Sequence, residues 1–231
     1  MSKSKSKSKS ESESKSESKS KSESEAERLQ TLLCEKLVSA TKDDDLESIK
    51  RLIRIGADVN RVHPELGDTP LMVASYLGSL RIVRFLVSSN ADINKANNDG
   101  YTPLIIASNI GRLVLVRLFV KFGADINMAT NNGCTPLYNA SQNGHIQVVQ
   151  FLVSSNADIN MAANIGCTPL FVASQNGHIQ VVQCLVSSNA DINMAMNNGD
   201  TPLYIASQNG HMEVVRFLVI SNADINKASN N

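Results

Sequence analysis

Thr-Pro-Leu occurs five times in this chain, at Thr69, Thr102, Thr135, Thr168 and Thr201, with one constant spacing from each to the next. A fixed period of this length means one supersecondary unit copied in tandem. A single copy has too little surface to fold alone, so each buries its apolar face against the next. The period therefore dictates a quasi-one-dimensional array. Arrays of this kind expose long surfaces, which points to binding.

Residues 133–165 serve as the type unit. Asn132-Gly133 is a turn signal, since both residues accept positive φ. Thr135 suits an N-cap, and Pro136 suits the first helical position, where its missing N–H costs nothing. A short helix is predicted from there towards Gly144, which can end it in the left-handed region. A second helix is predicted from near His145. It carries Ile146, Val148, Val149, Phe151, Leu152 and Val153, too many for one narrow stripe, so it packs on more than one side. Asn156 ends it, again where left-handed geometry is tolerated.

A helix pair and a turn in every period, with T-P-L near the start, resembles the ankyrin repeat. G-x-T-P-L begins at Gly67, Gly100, Gly133, Gly166 and Gly199. A-D-[IV]-N contains Asp58, Asp92, Asp125, Asp158, Asp191 and Asp224, and N-G-H contains His145, His178 and His211. The resemblance covers residues 26–231. It implies an all-α solenoid of stacked helix-turn-helix units joined by β-turn or hairpin connections, whose turns and first helices line a concave, protein-binding face. The expected divisions are a disordered tail over 1–25, a capping repeat with its connecting loop over 26–66, and repeats over 67–99, 100–132, 133–165, 166–198 and 199–231. The resemblance also implies that Asn94, Asn127, Asn160 and Asn193 are acceptors for hydroxylation where a cell has the enzyme.

Two departures from the family pattern matter. The His that commonly follows T-P-L is replaced by Met72, Ile105, Tyr138, Phe171 and Tyr204. Its hydrogen bonds to neighbouring turns are lost, so apolar packing must compensate. The Gly of the usual G-A-D becomes Asn90, Asn156, Asn189 and Asn222, the next best residue for left-handed backbone.

The first unit lacks T-P-L, and Ser48 and Arg51 stand where later units have apolar residues such as Val148 and Phe151. A terminal unit with a polar outer face is what solubility demands. Asp43, Asp44 and Asp45 are expected in the helix–helix loop and at the start of the second helix, where acids suit the dipole. The last unit keeps Val214, Val215, Phe217, Leu218 and Val219 with no polar cap after it. The expectation is either a longer array or an end covered by a partner or a second copy.

Residues 2–24 alternate Ser with Lys or Glu without one apolar side chain. Such a segment cannot offset its ordering entropy and should be disordered. Ser10, Ser12 and Ser16 stand next to acids and are candidates for phosphorylation, which would invert the local charge. Residues 1–24 carry a net +3 and the whole chain is neutral, so the array has no nucleic-acid footprint. No apolar run approaches the roughly 20 residues of a membrane span. Cys34, Cys134, Cys167 and Cys184 form no C-x-x-C pair and read as free thiols of a cytoplasmic protein in a reducing compartment.

Catalytic, metal-binding and cofactor-binding patterns are not found. His145, His178 and His211 recur one repeat apart, about 10 Å, whereas zinc ligands must converge within about 2 Å of one ion. Asn139-Ala-Ser is a nominal glycosylation acceptor inside a predicted helix. On the resemblance, partner-facing positions are the turn tips and the exposed ends of the first helices. These are Tyr76, Leu77, Asp99, Tyr101, Asn109, Ile110, Gln142, Asn143, Gln175 and Asn176, with Asp68, Cys134, Ile165, Cys167, Asn198, Asp200, Gln208 and Asn209 at equivalent places. Early repeats offer Tyr and Ile, and tyrosine is a frequent interface anchor. Residues 133–198 hold only two charged side chains, Asp158 and Asp191. The expected energetic centre is therefore residues 67–123.

Overall fold

The structure is a computed structural model describing residues 25–227. The expected disorder and phosphorylation of the tail fall on residues outside those described. Helix α1 spans residues 25–42. Eleven shorter helices follow: α2 (Leu46–Arg54), α3 (Pro70–Leu77), α4 (Leu80–Ser88), α5 (Pro103–Asn109), α6 (Leu113–Lys121), α7 (Pro136–Gln142), α8 (Ile146–Ser154), α9 (Pro169–Gln175), α10 (Ile179–Ser187), α11 (Pro202–Gln208) and α12 (Met212–Ile220). No strand occurs among the described residues.

Each first helix starts as its sequence requires. The Thr135 hydroxyl oxygen accepts from the Tyr138 N–H at 3.1 Å, and Pro136 occupies the first turn. Thr69, Thr102, Thr168 and Thr201 do the same for α3, α5, α9 and α11. These threonines are buried, so the cap satisfies an amide that water cannot reach. The second helices end on a left-handed residue: Asn90, Asn156, Asn189 and Asn222 have φ between 64° and 67°.

One continuous core runs the length of the array. Leu71, Leu104, Leu137, Leu170 and Leu203 project from the first helices, and Ile82–Val83, Val116–Phe119 and Val148–Leu152 meet them from the second. Ile146, Phe151 and Val153 are half-buried around that seam, so the second helix packs on more than one side. A second apolar layer lies under the turns, where Tyr138, Ala163, Cys167, Phe171, Val172 and Ile205 cluster, joined by Cys134 and Met196. This layer supplies the packing required once the post-T-P-L histidine is gone.

In the first unit Asp45 caps α2, accepting from the Ser48 N–H at 3.0 Å, and hydrogen bonding from the Ser48 side chain first and its backbone N–H second holds the Asp45 carboxyl below the usual range. Asp44 reaches forward to Ser79 and Arg81 of the next unit. Asn139 is buried in α7 and donates to the Thr135 carbonyl at 2.9 Å, which places the nominal glycosylation acceptor in the interior.

Candidate functional site

Three polar ladders fix the register between repeats and decide which surface side chains remain available. The first is made by the A-D-x-N segments. Within a segment the Asp carboxylate accepts from the N–H two residues on, as Asp158 does from Asn160 at 3.0 Å. The Asn side-chain oxygen then accepts from the next repeat's Asp N–H. Asn60, Asn94, Asn127, Asn160 and Asn193 pair in this way with Asp92, Asp125, Asp158, Asp191 and Asp224.

The second ladder joins the turn tips. Asn131 Nδ2 donates to the Asn98 carbonyl, Asn164 Nδ2 to that of Asn131 and Asn197 Nδ2 to that of Asn164, at 2.8–3.1 Å. Sequence reasoning missed both asparagine ladders. The recurrence of Asn98, Asn131, Asn164 and Asn197 at the repeat period was the available signal.

The third ladder is histidine. His145, His178 and His211 sit at the N-caps of α8, α10 and α12 without bonding their own helices. Each ring reaches back one repeat: Nε2 lies 2.9 Å from the Asn109 carbonyl oxygen, 3.0 Å from that of Gln142 and 2.9 Å from that of Gln175. A carbonyl only accepts, so Nε2 carries the proton. The sequence reading of these histidines as contacts at a helix start thus becomes a contact between repeats. No group of three or more metal-ligating side chains converges among the described residues.

The expected partner-facing residues divide on this geometry. Tyr76 and Leu77, at the end of α3, are 63% and 47% exposed. Asp99 is exposed, whereas Tyr101, Asn109 and Ile110 are half-buried. Gln142, Asn143 and Asn176 are exposed and Gln175 is half-buried. Asn143 Nδ2 already donates to Asn109 Oδ1 at 2.8 Å, and Asn176 Nδ2 to the Gln142 carbonyl at 3.2 Å. Their amides serve the stacking of repeats, which lessens what they can offer a partner.

Cys167 and Asp200 correct the expectation that the residue after the turn glycine lies on the surface. Both are buried. That position points under the turn, into the apolar layer. Burial, with Cys134 and Asp200 nearby, pushes the Cys167 thiol up to about 11. Burial first and the two thiols second push the Tyr138 hydroxyl up as well. These groups stay neutral and pack; they are not poised nucleophiles. All four cysteines are unpaired.

The periodic helix pair, tied by these ladders, meets a decisive comparison: residues 37–130, 89–163 and 161–229 match the family model for ankyrin repeats in three copies. The chain belongs to the ankyrin-repeat family. Among similar curated proteins is the ARF GTPase-activating protein GIT2 of Homo sapiens, 37% identical over 68 residues, which are 29% of this chain and 9% of that protein. Another is protein phosphatase 1 regulatory subunit 27 of Mus musculus, 41% identical over 64 residues, 28% of this chain and 41% of that protein. The chain spans less than half the length of either relative. No helix among the described residues is long and apolar enough to cross a membrane.

Proposed function

We propose that this ankyrin-repeat chain is a non-catalytic protein-recognition scaffold whose first-helix and turn side holds a partner protein, with its energetic centre at Tyr76, Leu77, Tyr101 and Ile110. The observation that carries this reading is the exposure of Tyr76 and Leu77 side by side at the end of α3. Later first helices end instead in Gln142-Asn143 and Gln175-Asn176, whose asparagine amides are engaged between repeats. Aromatic anchors give large contact area at low entropy cost, and a few of them carry most of an interface's energy. The unpaired cysteines support a reducing, cytoplasmic setting.

The test compares residues 26–231 with a Tyr76→Ala, Tyr101→Ala, Ile110→Ala variant in parallel captures from the native cell. Partners held by the first should fall at least about tenfold in the second, as expected when hot-spot anchors are removed. A Gln142→Ala, Gln175→Ala variant should capture nearly as well. An equal or larger loss from the glutamine pair refutes the assignment to early repeats.

A second reading is favoured by one feature of the last repeat. Met212, Val219, Ile220 and Ile225 are all exposed, Ile220 at 77%. An apolar patch of this kind marks an interaction surface. If a second copy covers it, light scattering of the full chain gives a mass that rises with concentration, and Ile220→Glu abolishes the rise. A constant monomer mass eliminates self-association.

A further inference from the structure

The outer face of the second helices carries a pattern that the proposed recognition surface does not use. Helices α2, α4 and α6 bear seven Lys or Arg side chains against one acid, Glu47, whereas α8 and α10 bear no charge. The central row consists of Lys50, Arg84 and Arg117, one per repeat at equivalent helical positions. It continues as Gln150 and Gln183 through two uncharged repeats, and returns to a cation at Arg216 of α12, whose helix also carries Glu213. From Arg117 to Gln183 the row is lined by shared grooves. Arg117 and Gln150 line one groove of 340 Å³ together with Phe151, and Gln150 and Gln183 line the next, of 750 Å³.

The cations are available. Arg84 and Arg117 are exposed, as are Arg51, Arg54 and Lys121 beside them, and among the described residues none of the five forms an ion pair. Lys50 is engaged only with Glu47, one turn away at 2.7 Å, a surface pair of little energetic weight. The Arg117 guanidinium is held over the Phe151 ring, 5.4 Å from its centre, which orients the cation at the mouth of the first groove.

We propose that the outer face of α2, α4 and α6 is a second docking surface, which takes a short acidic segment of a partner protein laid across the three helices. Packed helices stand about 10 Å apart, and an extended chain advances about 3.3 Å per residue. One carboxylate on every third residue therefore meets one cation per repeat, and the three rungs accommodate about six to nine residues.

The boundaries of the row select this occupant over a nucleic acid or an anionic bilayer. Asp45 and Glu47 share a groove with Lys50, Arg51 and Arg54 at one end, and uncharged glutamines follow at the other. A continuous polyanion would run onto acids in one direction and onto neutral surface in the other. A short acidic segment ends where the cations end. The neutral net charge of the chain also denies a long polyanion the general attraction on which it depends.

The test is fluorescence anisotropy of the full chain with a labelled nine-residue peptide bearing Glu at every third position among Ser and Gly. A counterpart with Gln in place of Glu serves as control. The Glu peptide should bind at least about tenfold more tightly than the Gln peptide, with an affinity that falls as salt rises. Arg84→Glu with Arg117→Glu should weaken it at least about tenfold, and Arg84→Gln with Arg117→Gln by less, while urea midpoints stay near wild type. Tyr76→Ala with Tyr101→Ala should leave this binding unchanged, so failure here is distinguishable from failure of the first-helix assignment. Equal affinity for the two peptides, or undiminished binding by the reversed-charge variant, overturns the proposal. So does tighter association with phosphatidylserine vesicles or single-stranded RNA than with the Glu peptide.

Discussion

Gly177→Ala should destabilise the array by about 3 kcal/mol, and Gly210→Ala, at the equivalent place in the next repeat, by about 1 kcal/mol. Both glycines hold left-handed backbone, with φ of 73° and 74°, and an alanine there costs about 1–2 kcal/mol. The two sites differ in what surrounds them. A Cβ on Gly177 would stand 2.5 Å from Nδ1 of His211 and 2.8 Å from its Cε1, closer than real atoms approach. The ring must swing away, which breaks its bond to the Gln175 carbonyl and leaves Asn209 Nδ2, at 2.8 Å, as that group's remaining side-chain donor, while the imidazole N–H loses its acceptor. A Cβ on Gly210 meets nothing within 4 Å. The difference between the two costs therefore isolates the histidine rung. Urea unfolding of the two variants measures it, and equal shifts would show that the ladder contributes nothing beyond backbone strain. At Gly78 the same close approach is made by Arg112, whose Nε would lie 3.0 Å from the added atom. The glycine at this point of the repeat thus answers to whichever flat side chain precedes the second helix of the next repeat.

How much of the fold and the candidate site is legible in the sequence depends on whether a residue acts within its own repeat or across two. The Thr-Pro start of each first helix, the left-handed Asn156 and the buried face of α8 follow from local chemistry, and the structure places them as the sequence requires. The cap at Asp45 is legible for the same reason. His145 is not, because an N-cap position suggests a local bond, whereas its partner Asn109 lies in the preceding repeat. Asn131 and Asn164 look like turn residues chosen for backbone conformation alone. Their side chains in fact bridge to the preceding turn, and only the period, taken together with the stacking distance, could have revealed it. Analogy with exposed turn tips puts Cys167 and Asp200 on the surface. Both are buried, and Cys167 joins the cluster that holds Tyr138 of the preceding repeat. Partner-facing residues are the least legible, because exposure is a property of the assembled stack. Tyr76 and Tyr101 have the same side chain, and both suit the recognition side in sequence, yet the first is exposed and the second half-buried.

The largest single loss is expected at Phe171. The residue after T-P-L sits in one structural place in every repeat, but its surroundings change along the array. Phe171 is 2% exposed and packs within the cluster of Tyr138, Cys167 and Ile205, whereas Tyr204 is 40% exposed. Phe171→Ala removes a buried ring from a layer closed on both sides by other repeats, which costs about 3–5 kcal/mol. Tyr204→Ala exposes a cavity that water can reach and should cost about 1–2 kcal/mol. Phe171→His, which reinstates the residue common in the family, should not repair anything. The turns on either side already have their bonds, from Asn164 Nδ2 to the Asn131 carbonyl and from Asn197 Nδ2 to the Asn164 carbonyl. An imidazole would replace a buried ring in a largely apolar layer, whose nearby buried acceptor without a hydrogen bond is Asp200 Oδ1, beside Cys167. The lost packing and the desolvation of its second nitrogen should still cost about 2 kcal/mol or more. Chemical unfolding should therefore rank Phe171→Ala as the most damaging of the three, then Phe171→His, then Tyr204→Ala. A Phe171→His variant as stable as wild type would mean that the imidazole finds a partner in the layer and that an apolar ring at this place contributes nothing a histidine cannot replace.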